Sequence, residues 1–333
     1  MKKSLFYTLF AVIASLQFNL VAQEIDSLKQ IENKHEKTRA SQEYEFSDGT
    51  TRTYSKPKLL EIVTKAPKDF LNTNIDFVAK DHAWYLAGAL ASTLVLLPID
   101  QQITDQSRAW SERNGLSESN RYGKLGPLEN KPENIGAAFY LLGNGTTVVL
   151  LGAGFATYGL LKNNYRAQAT ASSLIESLLV SGVFVQSLKR ITGRESPFIA
   201  MQKGHPGGEW NPFPSFPAYA KDTPNYDAMP SGHLTTIMSG LTIIITNYPD
   251  YKWLKPVCYT AMAGLCFQMV QSQVHWTSDY PMAIFMGYFI GKTIAKNRFK
   301  ETKKAETSQK KYTYNFSASR QYGINTVGVT VKF

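Results

Sequence analysis

Pro230-Ser231-Gly232-His233 opens an apolar run, Leu234 to Ile245, and this junction decides how the chain is read. The proline stiffens the approach and the serine is a good helix N-cap, so a helix is expected to start here. Its first backbone N–H groups have no partner within the helix. With the helix dipole they form an anion site, and Gly232 lets an oxyanion come close to the backbone. His233 then stands beside the anion, placed to pass a proton to a leaving oxygen. Taken alone, the four residues are better read as a capped helix start with an exposed histidine.

Forty-two residues further on comes His275-Trp276-Thr277-Ser278-Asp279. His275 and Asp279 are four apart, which on a helix puts both side chains on one face. A carboxylate accepting the Nδ1 proton leaves Nε2 free to attack, and attack on phosphorus gives a phosphohistidine that water later hydrolyses. An ordinary His–Asp helix pair is the plainer reading. Upstream, Lys189, Arg190 and Arg194 follow the apolar stretch Leu178 to Leu188, with Gly193 and Pro197 marking a turn. Cations here suit the negative oxygens of a phosphoryl group. A basic helix end facing its own dipole, or charge flanking a membrane segment, would look the same.

In this order the three elements resemble the type 2 phosphatidic acid phosphatase and vanadium haloperoxidase superfamily, over roughly Lys189 to Gly291. The resemblance implies an all-α bundle and a metal-independent phosphatase acting on a lipid phosphate or diphosphate. It also implies roles: Lys189 binds phosphate, Ser231 and Gly232 cradle it, His233 is the general acid, His275 the nucleophile and Asp279 its orienting partner. No cofactor is expected. Two departures stand out. The first element of the family ends Arg-Pro, where this chain has Ser196-Pro197. The third carries an arginine six residues before the nucleophile, where this chain has Met269. Neither serine nor methionine replaces a guanidinium fork. Arg194, close to the lost position and preceded by glycine, is expected to supply the missing phosphate contact. Arg190, Gln271 and Gln273 are the other candidates. A non-catalytic phosphate-binding protein of the same fold is the alternative function, with halide oxidation ranked below it.

The rest of the chain bounds the setting. Residues 1–22 read as a signal peptide, with Lys2 and Lys3 ahead of an apolar stretch. Residues 23–80 read as a polar segment of helix and loop, 81–298 as the helical phosphatase-like domain, and 299–333 as a basic linker with a β-hairpin tail. Six apolar segments predict about six core helices: Trp84–Pro98, Ile135–Leu161, Ser172–Leu188, Leu234–Ile245, Val257–Val270 and Pro281–Ile290. Glu176 interrupts one of them and must face the bundle interior or water. Asp100 to Asn134 reads as a long polar connection. Phe198 to Met229 reads as a loop forming a lid or a substrate-selecting wall. Alternation at Tyr312, Tyr314 and Phe316, and again at Val327, Val329, Val331 and Phe333, predicts the terminal hairpin.

Cys258 and Cys266, eight apart on a helix, lie about 12 Å from each other and do not bridge. No Cys/His cluster has metal-ligand spacing, and His35, His82 and His205 stand alone in sequence. The net charge is +10, with a basic run from Lys292 to Lys311 suited to anionic headgroups. Export makes nucleic acid a poor partner. The expected partners are a phosphorylated lipid and the membrane. Five crossings place the basic tail inside and all three motifs outside. The expected location is therefore the inner membrane with a periplasm-facing site, a soluble periplasmic form being the alternative.

Overall fold

The computed structural model describes residues 39–58, 60–116, 119–125, 128–303, 313–321 and 324–332. The expected signal peptide, His35, Tyr312 and Phe333 lie outside the described residues, as does the turn at Gly323. The fold is mostly helical, as expected. The helices are α1 Glu61–Val78, α2 Ala83–Leu96, α3 Asp100–Arg113, α4 Ile135–Leu142, α5 Gly145–Leu161, α6 Tyr165–Thr192, α7 Pro197–Lys203, α8 Phe216–Lys221, α9 Gly232–Asn247, α10 Leu254–Gln271 and α11 Tyr280–Lys296. Each of the six apolar segments lies in a helix. The second is broken at Gly143–Asn144 into α4 and α5, which are bent by 70°.

Local chemistry sets the helix ends. Asn164 caps α6 by accepting from Ala167 N, and Ser231 caps α9 by accepting from Leu234 N. α6 stops at Gly193, whose φ of 56° is left-handed. A Cβ there would lie 1.8 Å from the Asn211 carbonyl oxygen, so only glycine fits this turn. Pro281 sits in the first turn of α11, where its missing N–H costs nothing.

The core is built where α6, α9 and α11 meet. Leu174, Phe184, Ile243, Phe289, Ile290 and Ile294 are buried there, and Phe70 and Phe77 of α1 pack against them. Full burial of one such side chain contributes about 1.5–3 kcal/mol. α9 and α11 touch backbone to backbone. A Cβ at Gly287 would lie 2.6 Å from the Thr235 carbonyl oxygen, and one at Gly291 2.3 Å from that of Ser239. Small residues four apart let two helices approach this closely. Glu176 is fully buried as expected and pairs with Arg298.

Three parts of the chain differ from the sequence expectation. The polar N-terminal segment forms strands β1 Ser41–Glu45 and β2 Thr50–Ser55, and β2 also pairs with a strand at Phe299–Lys303. Tyr54 anchors this sheet, fully buried against Tyr44 and Phe299, with its hydroxyl donating to Asn247 at the far end of α9. The polar connection after Asp100 contains α3 and a hairpin pairing Tyr122–Leu125 with Leu128–Pro132. The long loop after Phe198 holds α7 and α8. The expected terminal hairpin is present, with Tyr314 opposite Val331 and Phe316 opposite Val329.

By length and composition, two helical stretches can cross a membrane, Ala83–Arg113 and Tyr165–Thr192, and the bent α4–α5 pair would make a third. That is fewer than the five crossings expected. α9 and α11 have 16 and 17 residues, and α10 is diluted by Lys255, Gln268 and Gln271.

The α9–α11 contact gives a direct prediction. Gly291→Leu forces the helices apart and is expected to destabilise the protein by about 1–3 kcal/mol or more. Gly154→Leu, at a site with open space around it, should stay close to wild type. Thermal unfolding of both variants in detergent checks this.

Candidate active site

Three chain segments bring the sequence-predicted residues to one end of the bundle. Lys189 lies in the last turn of α6, Ser231 and Gly232 begin α9, and His275 sits in the turn between α10 and α11. The His233 and His275 rings are 6.0 Å apart, centre to centre, and edge-on to each other. The Lys189 Nζ comes close to Gly232, at 3.8 Å from where a Cβ would stand. Lys189, Ser231 and His275 are all buried. The head of α9 therefore carries a lysine and two imidazoles around its unpaired N–H groups, an arrangement that suits an oxyanion.

His275 is not on a helix with Asp279. It precedes the 3-10 turn Thr277–Asp279, and Asp279 sits at the N-cap of α11. The His275 Nδ1 lies 2.7 Å from the Ala228 carbonyl oxygen and 3.6 Å from Asp279 Oδ2. A carbonyl oxygen only accepts, so Nδ1 carries the proton and Nε2 keeps its lone pair. The residue that orients the ring is thus the backbone of Ala228. Asp279 lies behind it as a nearby negative charge, and its Oδ2 accepts from Trp276 N at 2.8 Å.

Arg194 corrects the second expectation. Its guanidinium is fully buried and held by protein partners. Nη1 donates to Ser278 Oγ and Asp279 Oδ1, both at 2.7 Å. Nη2 donates to Asp100 Oδ2 at 2.8 Å and to the Gly207 carbonyl at 3.1 Å. The indoles of Trp210 and Trp276 lie within cation–π reach. Two buried carboxylates outcompete a ligand for this cation. Arg190 is also engaged, donating to the Pro214 carbonyl and lying 3.8 Å from the Phe216 ring centre. The long loop is therefore held down at its aromatic end by Arg190.

Two site residues were not picked out from the sequence. Asp227 accepts from Lys189 Nζ at 3.1 Å and from Ser196 Oγ at 3.4 Å. Tyr140 of α4 sets its ring 4.6 Å from that of His233. Asp227 lies only three residues before Pro230, so proximity to the motif was the available signal. Tyr140 carried none. Asp100 was likewise read as part of a connection, yet it is fully buried and also accepts from the Ser278 backbone N–H at 2.9 Å.

His205 does not stand alone. Its Nδ1 is 3.0 Å from Glu195 Oε2 and its Nε2 3.5 Å from Glu209 Oε1. The three ligand atoms lie within 4.8 Å of one another, a span that fits a metal ion. Lys203 also donates to the other Glu195 oxygen at 2.7 Å, so Glu195 is already shared between the ring and the lysine.

Burial pushes the His233 imidazole down from 6.5 to about 3, with His275 and Lys189 adding in the same direction. In the unliganded site His233 is therefore neutral.

Residues 170–303 match the PAP2 superfamily, the family that the three sequence elements resemble. The matched stretch contains Lys189, Ser231, Gly232, His233, His275 and Asp279, and it supports a phosphatase-like function in general. No curated protein and no solved structure matches the chain.

Two measurements test the site. Arg194→Gln leaves Asp100 and Asp279 buried without their cation, and loss of one partner of such a pair costs about 3–5 kcal/mol. The expected result is a large drop in the unfolding temperature. The second concerns pH. The folded state holds His233 neutral and the unfolded chain protonates it near 6.5, so its contribution is present above that value. It is lost as the pH falls toward about 3. The unliganded protein should therefore weaken on acidification over this range, and His233→Asn should flatten the slope.

Proposed function

We propose that the protein is a metal-independent phosphatase of lipid phosphates or diphosphates, working through a phosphohistidine. The observation that carries this reading is the convergence of His233 and His275 on the Lys189-flanked head of α9. His275 Nε2 attacks phosphorus while its Nδ1 keeps its proton and donates to the Ala228 carbonyl. The new N–P bond leaves a positive imidazole, which the Asp279 carboxylate 3.6 Å away stabilises. His233 donates a proton to the departing oxygen as the P–O bond breaks. Burial disfavours the charged form of His233, so a substrate that arrives as the phosphate monoanion supplies the proton for this step. Neutral again, His233 then takes a proton from the water that hydrolyses the phosphohistidine. Lys189 and the first N–H groups of α9 hold the phosphoryl oxygens throughout.

A lipid substrate is supported by the outer surface. Trp84, Leu94 and Val95 of α2, Leu160 and Leu161 of α5, and Trp253 and Val257 beside or on α10 are all exposed. Apolar surface on several helices, with tryptophans at helix starts, suits a bundle seated in a bilayer. On this reading the site opens to the outside of the cell membrane. The alternative, a non-catalytic phosphate-binding protein, draws support from the guanidiniums missing at Ser196 and Met269.

Purified protein should release phosphate from phosphatidic acid or an isoprenyl diphosphate in the presence of a chelator. His275→Ala should abolish release, and His233→Ala should lower it by about 10²–10⁴-fold. Inactivity on both substrates and on simple phosphomonoesters, with the protein folded, would favour the non-catalytic alternative.

A further inference from the structure

Asp227 brings a negative charge into the place prepared for an anion. Its Oδ2 accepts from Lys189 Nζ at 3.1 Å, and its Oδ1 from Ser196 Oγ at 3.4 Å. Lys189 is the cation that reaches Gly232, and Ser196 stands where the family has an arginine. Two polar side chains that face the cradle from this element are thus directed at one carboxylate. Asp227 is not on a free loop. Ala228 N donates to the Arg194 carbonyl at 3.0 Å, and Thr192 Oγ1 donates to the Met229 carbonyl at 2.6 Å. The intervening Ala228 is fully buried, and its carbonyl accepts a hydrogen bond from His275 Nδ1. The backbone that carries the carboxylate is thus tied in place next to Lys189.

We propose that Asp227 is a resident counter-anion that keeps the affinity for phosphate low. It holds Lys189 in the unliganded site, and an incoming oxyanion must share or displace it while facing a like charge nearby. A site of this kind binds little through the phosphoryl group and relies on the apolar part of the substrate for affinity. The substrate class that fits is an amphiphile with a single phosphate or diphosphate head, and free inorganic phosphate leaves readily. This inference rests on reading the head of α9 as a phosphate site.

The test is equilibrium binding of inorganic phosphate and orthovanadate to the full chain in detergent at constant pH, followed by calorimetry and by ligand-dependent shifts in unfolding temperature. Asp227→Asn keeps the shape and removes the charge. It is expected to bind phosphate at least tenfold more tightly than wild type, and the gain should vanish when Lys189→Ala is added. If Asp227→Asn does not fold, Asp227→Ser in the same assay decides. Suppose wild type binds either anion and Lys189→Ala abolishes this, yet loss of the Asp227 charge leaves binding equal or weaker. The counter-anion role is then overturned while the phosphate site stands. If none of the folded proteins binds either anion, the phosphate-site reading fails and the counter-anion role fails with it.

Discussion

The guanidinium of Arg194 has no contact with water, and the geometry of the site is organised around it. Removing such an ion from solvent costs several kcal/mol, and only close, well-directed partners offset that. Here the partners come from separate parts of the chain: Asp100 at the start of α3, and Ser278 and Asp279 at the start of α11. Ser278 Oγ donates in turn to Asp100, and Thr93 of α2 donates to the Ser278 carbonyl. The clasp thereby fixes the 3-10 turn that follows His275 and Trp276. A buried arginine thus helps to fix where the His275 ring stands.

Charge is distributed in a way the total of +10 conceals. At the site Lys189 is matched by Asp227, and Arg194 by two carboxylates. The opposite end of the bundle is different. A cavity of about 280 Å³ beside the three-stranded sheet is lined by Arg39, Lys65, Lys68, Lys296, Arg298 and Lys300, against Glu61 and Asp69. The excess of basic residues is thus concentrated away from the histidines. Net charge is no guide to the ligand in this molecule.

Much of this was legible from the chain itself. The apolar runs marked the helices, because burial of one face dominates helix stability. The three motif elements marked both histidines, Lys189 and the α9 cap. Glu176 announced an interior partner, though not that it would be Arg298, 122 residues away. What stayed hidden depended on distance in sequence. Strands at Ser41–Glu45 and Thr50–Ser55 are short and polar, and they exist because Phe299–Lys303 returns to pair with them. Arg194 was expected to bind phosphate because local spacing shows a lost arginine nearby. Nothing local shows that Asp100, 94 residues earlier, is folded against it. The role given to Asp279 rested on helical spacing, which a 3-10 turn does not have, so the nearer acceptor for His275 became a backbone carbonyl.

The glycines along the α9–α11 contact have a mechanical consequence. With Thr235 and Ser239 carbonyls almost touching the facing backbone, neither lipid nor water can wedge between these two helices. One of them carries His233 in its first turn, and the other starts five residues after His275. The pair is thereby built to move as a single strut. The spacing between the two imidazoles is in this way tied to a closely packed helix pair, and a shift of the other helices need not change it.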